Sequence, residues 1–177
     1  MPGYEILDKE EFKQVSEVFK KSKTLFRMGF DKQRKGIFKV RDFEINFAKK
    51  FKSNYALAVT SCTAALRVAL ATLNLKKNDE VITQSFTFVA TVESIVESGA
   101  TPICTNIDET MNMDPNDLVK KISKRTRAVI VVHMLGVPAQ VDKIKSICKK
   151  HNLLLIEDTA WGCGGKFKNK FLGTWGD

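Results

Sequence analysis

The segment 153-LLLIEDTAWGCGG-165 holds the decision about the fold: four apolar residues, a pair of acids, then small residues and glycines around Trp161. So short an apolar run, closed by glycines, reads as a strand with both faces covered, as in a parallel sheet packed between helices. Glu157 and Asp158 then stand at its carboxyl end, where open α/β sheets bind their ligands. An acid pair at a strand end is also a common metal or capping feature, so it carries little chemistry alone.

Similar runs recur upstream at "YALAV" (55–59), "EVIT" (80–83), "PICTNI" (102–107) and "AVIVVH" (128–133). Helical periodicity occupies the intervals at 63–73, 87–98, 114–122 and 140–150, with two earlier segments at 9–21 and 41–51. Ser61 or Thr63 is positioned to cap the first crossover helix, and "MDPND" opens another with proline in its first turn. The alternation predicts an α/β fold with a doubly wound, mostly parallel sheet.

Composition narrows the class. A chain of 177 residues, 44% hydrophobic, can bury a core without disulfide staples. Cys62, Cys104, Cys148 and Cys163 form no Cys-x-x-Cys pair, which argues against a zinc site or a disulfide framework and for a reducing cytoplasm. The charged start "MPGYEILDKEEFKQ" lacks the apolar core of a signal peptide, and no apolar run reaches membrane-span length. No membrane partner is expected. The formal net charge is +9, from 29 basic residues against 20 acidic ones. The basic residues are scattered over faces such as "FKQVSEVFKKSK" and "KIKSICKK", mixed with acids and without an aromatic platform. Solvated helix faces explain them better than a nucleic acid partner, and some lysines could draw in an anionic substrate.

Three further stretches fall at strand ends. "TSCTAAL" (60–66) opens a helix, so its N–H groups and the Ser61 and Thr63 hydroxyls suit an anion such as phosphate. On this stretch alone, an ordinary N-cap is the commoner reading. "SFTFVAT" (85–91) puts Phe86 and Phe88 on a turn, where phenylalanine is usually core but can stack on a flat ring. "VHMLG" supplies His133, at a position more often structural than catalytic. Two phosphate-loop alternatives fail by spacing. "GCGGKF" has Phe167 where the dinucleotide fingerprint needs glycine, and a Walker-type loop ending at Gly165 and Lys166 meets Ala160 and Phe167 instead of glycine and a hydroxyl.

Together these stretches, with "DEVI", "GATPI", "NIDE", "RAVIVVH", "KKHNLLLIED" and "LGTWGD", resemble the vitamin B6-dependent sugar aminotransferases of the DegT/DnrJ/StrS type, from about residue 25 to 177. The resemblance implies the N-terminal portion of an aspartate aminotransferase-like (type I) large domain that binds pyridoxal 5'-phosphate. It makes Asp158 the partner of the cofactor's pyridine nitrogen, with Phe88 stacked on the ring and Ser61, Cys62 and Thr63 on the phosphate. Trp161 lines the site where the family commonly has glutamine, and Cys62 stands where glycine is usual. Glu157 becomes an orienting neighbour, and His133 and Arg34 candidate substrate contacts; Lys35 and Arg41 lie in the same segment as Arg34.

The family's cofactor-bearing lysine follows "GTWGD" and is therefore expected downstream of Asp177, so no catalytic residue is assigned within the chain. The expected organisation is a helical segment at 1–50 and an incomplete cofactor-binding domain at 51–177, with the small C-terminal domain absent. By resemblance, a full-length homodimer would transfer an amino group, from glutamate, to a keto or aldehyde sugar. "MPGYEI", "KVRDFEINFAKKF" and "NIDETMNM" lean toward eight-carbon octulosonate sugars of lipopolysaccharide. A sugar dehydratase relative or a non-catalytic remnant remains the alternative.

Overall fold

The computed structural model describes residues 4–177. It divides into two compact units, one ending at Ala58 and the other running from Val59 to Asp177. The sequence-based boundary at 50/51 moves because residues just after it stay with the preceding helix: Ser53 N–H donates to Ala48 O and Ala58 N–H to Glu44 Oε1.

The first unit is helical. Helix α1 (Lys9–Glu17) starts in a capping box, Asp8 accepting from Glu10 N–H while its own N–H donates to Glu11. It runs into a π-turn at Val18–Ser22 that closes on left-handed Lys23. A short α2 (Asp31–Arg34) and α3 (Lys39–Phe51) follow. Lys39 bridges from α3 to Glu17 at 2.6 Å and Arg27 to Glu44 at 2.5 Å. Among the described residues of this unit, Phe51 is the one buried apolar side chain, while Phe12, Phe19, Met28, Phe43 and Ile45 lie exposed.

The second unit carries the sheet. Helix α4 (Cys62–Ala71) precedes β1 (Glu80–Gln84), α5 (Val89–Glu97), β2 (Thr101–Thr105), α6 (Pro115–Lys121), β3 (Thr126–Val132), α7 (Val141–His151) and β4 (Leu154–Asp158). All four strands are parallel, in the order β2-β1-β3-β4. The central strands β1 and β3 are almost wholly buried, Val81 and Ile82 in β1 and the run Ala128–Val132 in β3 supplying the apolar side chains for both faces. Pro102 is confined to the edge strand β2, where a missing N–H is tolerated.

The chain winds one way from β1 to β2 and the other way from β2 through β3 to β4, so right-handed crossovers must switch faces. They do. Leu66, Leu70 and Ile95 of α4 and α5 pack on Val81, Ala128 and Ile130, whereas Leu118, Ile144 and Cys148 of α6 and α7 pack on Ile82, Val129, Val131 and Leu155.

The segment 55–59 is not a strand, contrary to its β-rich sequence: it pairs with no strand of the sheet, and Tyr55 and Leu57 are exposed. A β-branched or aromatic run forms a strand only where an open edge takes up its N–H and C=O groups. After β4 comes a two-residue hairpin, β5 (Lys166–Phe167) against β6 (Lys170–Phe171), with Lys168 and Asn169 both at positive φ. No helix among the described residues is long and apolar enough to cross a membrane.

Candidate functional site

Alternation along β4 sends its two terminal acids to opposite faces. Ile156 belongs to the α4/α5 core and Leu155 to the α6/α7 core. Asp158 therefore faces α4, and Glu157 the other side.

Asp158 is 7% exposed. Its Oδ1 accepts from Ala160 N–H at 3.0 Å and lies 3.5 Å from Cys62 Sγ, while no hydrogen bond to Oδ2 occurs among the described residues. Cys62 is the first residue of α4, so the helix N-terminus and the carboxylate share one end of the sheet. A cleft of about 360 Å3 opens there, lined by Cys62, Ala65, Ala69, Asp158, Ala160 and Cys163. A larger cleft, about 710 Å3, lies at the opposite, amino-terminal ends of β3 and β4 against Lys124, Arg127 and His151. It holds no acid; His151 lies in the last turn of α7, where a helix C-terminus favours a basic residue, and Arg127 is ion-paired to Asp79 at 3.0 Å.

Ser61 is the N-cap of α4, with extended backbone and its oxygen accepting from Ala64 N–H at 3.1 Å. Capping and anion binding are compatible here. The capping oxygen only accepts, leaving its O–H free to donate, and the N–H groups of Cys62 and Thr63 have no acceptor behind them in the helix. Thr63 is half-buried beside them. Phe88 is the N-cap of α5, just beyond β1, and is 66% exposed. An aromatic ring so exposed at the sheet's binding edge is not core. Trp161, in the turn after β4, is also exposed.

Partial burial and the neighbouring Asp158 charge push the Cys62 thiol up to about 11. A helix N-terminus ordinarily lowers a thiol. Here desolvation and the carboxylate together outweigh it.

Glu157 is a fastening point. Its side chain accepts from His133 Nε2 at 3.1 Å, Gly173 N–H at 2.9 Å, Trp175 N–H at 2.5 Å and Gly176 N–H at 2.6 Å. Burial works against its charged form, but His133 and the three backbone donors prevail and hold the carboxyl below its ordinary range. Gly176 is required by this approach, because a Cβ there would sit 2.6 Å from Leu155 O.

His133 is fully buried. Its Nδ1 accepts from Ala139 N–H at 3.1 Å, which puts the proton on Nε2, facing Glu157. With both nitrogens engaged it has none to offer a substrate, and the expected substrate contact is corrected to a structural one. Arg34 is corrected likewise. It is 5% exposed, its guanidinium donating to Gly29 O at 2.6 Å and to Phe26 O, 5.4 Å from the Phe38 ring centre. Lys35 is exposed, and the Arg41 guanidinium also lies over the Phe38 ring, 4.2 Å from its centre.

Two features escaped sequence reasoning. The Cys62–Asp158 contact joins residues 96 apart, and no local pattern announces it. Gln84, buried at the end of β1, accepts from Val132 N–H at 3.1 Å and donates to Phe86 O at 3.0 Å, securing the turn that carries Phe88. A polar residue closing an apolar strand is the signal that could have found it.

A model of the DegT/DnrJ/EryC1/StrS aminotransferase family matches residues 6–177. The chain is 40% identical over 139 residues to GDP-perosamine synthase of Escherichia coli O157:H7, covering 78% of this chain and 38% of that protein. An aminotransferase from Psychrobacter cryohalolentis superposes with a TM-score of 0.87 at 33% identity, over 99% of this chain and 42% of that one. A GDP-4-keto-6-deoxymannose-3-dehydratase with a trapped PLP-glutamate geminal diamine superposes at 0.82 and 30% identity, over 97% and 44%. The chain spans less than half the length of these relatives. Pyridoxal phosphate is the cofactor that the family and this neighbour indicate.

Proposed function

Because this chain belongs to the DegT/DnrJ/EryC1/StrS aminotransferase family, we propose that it forms the cofactor-binding part of an enzyme that moves an amino group from glutamate onto a keto or aldehyde sugar for glycan synthesis. The observation that carries the reading is Asp158. It is a buried carboxylate at a strand end, with one oxygen uncommitted, on the face that also holds the amino end of α4.

The donor set suits pyridoxal phosphate, which when bound supplies the electron sink that transamination needs. Asp158 keeps a proton on the pyridine nitrogen, since an adjacent negative charge favours the cationic ring. The N–H groups of Cys62 and Thr63, with the hydroxyls of Ser61 and Thr63, hold the phosphate. Phe88, exposed at the start of α5, would stack on the ring, and Trp161 would line the site. Glu157 and His133 fasten the ends of β3 and β4 and so keep Asp158 in place. The catalytic lysine, a second domain and a homodimer belong to the full-length protein in this reading, with the cytoplasm as its compartment.

The narrower lean to octulosonate sugars rests on "MPGYEI", "KVRDFEINFAKKF" and "NIDETMNM", of which residues 1–3 lie outside the described residues. Elimination is the second reading, favoured by the dehydratase among the structural neighbours.

The test is the full-length protein, purified and supplied with nitrogen-labelled glutamate and nucleotide-linked keto sugars. Visible absorbance from the bound cofactor and label in an amino sugar are expected. Loss of water from the sugar without label would favour the dehydratase. A protein that never takes up pyridoxal phosphate would defeat both.

A further inference from the structure

We propose that Cys62 is a positioning residue: its S–H donates to Asp158 Oδ1 and sets the rotation of the carboxylate, leaving Oδ2 as the oxygen presented to the cofactor. The inference rests on the reading of Asp158 given above, but the contact exists without the cofactor.

The geometry is a two-point clamp. Ala160 N–H reaches Oδ1 at 3.0 Å from the chain's own turn, and Cys62 Sγ reaches the same oxygen at 3.5 Å from the start of α4. A carboxylate held at one oxygen by two donors from different elements has little freedom about its terminal torsion. The other oxygen then points where the donors are not.

The thiol must be the donor. A carboxylate oxygen only accepts, and a thiolate at that distance would repel it. Burial and the Asp158 charge both favour the S–H form. Glycine at this position could supply a backbone N–H to phosphate but no side-chain donor, so the thiol adds a function to the turn. The same contact makes Cys62 a poor nucleophile despite its position at a helix N-terminus.

The first experiment measures alkylation of each cysteine by iodoacetamide, followed by mass spectrometry, in the full-length protein freed of cofactor at pH 8. A rise of about two units in thiol pKa lowers the thiolate fraction about a hundredfold, and higher intrinsic nucleophilicity restores roughly tenfold. Cys62 is therefore expected to react about tenfold more slowly than Cys104 and Cys163, although all three are solvent-exposed. Asp158→Asn should remove most of that protection, and urea should make all cysteines react alike. Cys62 reacting as fast as Cys104 in the native protein, or unaffected by Asp158→Asn, overturns the proposal. Because no cofactor is present, this outcome is independent of whether the functional reading holds.

The second experiment compares Cys62→Ala with Cys62→Ser by titration with pyridoxal phosphate, and it decides the matter if Asp158→Asn does not fold. Serine keeps a donor and alanine does not. Weaker binding in Cys62→Ala by roughly three- to tenfold, corresponding to one modest hydrogen bond, with recovery in Cys62→Ser, supports the positioning role. Equal affinities in the two variants refute it.

Discussion

At Asp158 and Glu157 two adjacent carboxylates have been given different work by the pleat of one strand. Glu157 is saturated by four donors, whereas Asp158 keeps an oxygen free among the described residues. Replacing Asp158 by Asn preserves shape and removes charge, so the pyridinium is no longer favoured; the full-length enzyme should lose at least about a hundredfold in transamination kcat. Glu157→Gln should lose much less in kcat while unfolding at lower urea. It places an amide N–H2 among groups that all donate, a cost of about 1–3 kcal/mol. Steady-state kinetics and urea melts on both variants check the pair, and equal losses in kcat would mean the wrong carboxylate is assigned.

The pH dependence follows from the same residue. Glu157 is held below its ordinary range in the folded state, so the stability it contributes is complete above the unfolded value of about 4.3 and disappears as pH falls through the lower, folded value. Glu80, Asp108, Asp142 and Asp177 are also lowered, so wild-type melts between pH 5 and pH 2 report a sum. The difference between wild type and Glu157→Gln isolates the residue. That difference should shrink toward the acid end, and one constant across the range would contradict the assignment.

Among the elements, α4 has the most exacting task, since its first turn must be ordered for an anion to find its N–H groups. Its start depends on Ser61, which caps it through Ala64 N–H. Ser61→Ala should destabilise the full-length protein by about 1 kcal/mol. It should also weaken pyridoxal phosphate binding, because the same change removes a hydroxyl donor. Ser61→Gly, which costs a cap only a few tenths of a kcal/mol, separates the two effects: stability should return and affinity should not. Calorimetry and cofactor titration measure each, and recovery of affinity in the glycine variant would show that the hydroxyl does not touch phosphate.

For the whole molecule, the weak points are 55–59 and the first unit. Segment 55–59 leads into the Ser61 turn without a strand partner, and the first unit exposes many apolar side chains for the little it buries. Exposed apolar surface favours association over a single folded state. Residues 1–177 made alone should therefore aggregate or melt without cooperativity and bind pyridoxal phosphate more weakly than about 1 μM, that is, less favourably than about −8 kcal/mol. A soluble chain with one sharp unfolding transition and tighter binding would contradict this.

The apolar runs at 80–83, 128–133 and 153–157 announce buried parallel strands because period and length are properties of neighbouring residues. Strand ends carrying Asp158, Phe88 and the 60–63 turn are legible for the same reason. Segment 55–59 has the composition of a strand and is not one, since pairing depends on an edge that local sequence cannot supply. His133 and Arg34 look free as letters, yet their ring nitrogens and guanidinium are taken up by carbonyls, amides and a carboxylate that folding brings to them. The Cys62–Asp158 contact is of the same kind: its two halves are meaningful near their own positions in the chain, but a 3.5 Å hydrogen bond across 96 residues exists only once β4 and α4 share an end of the sheet.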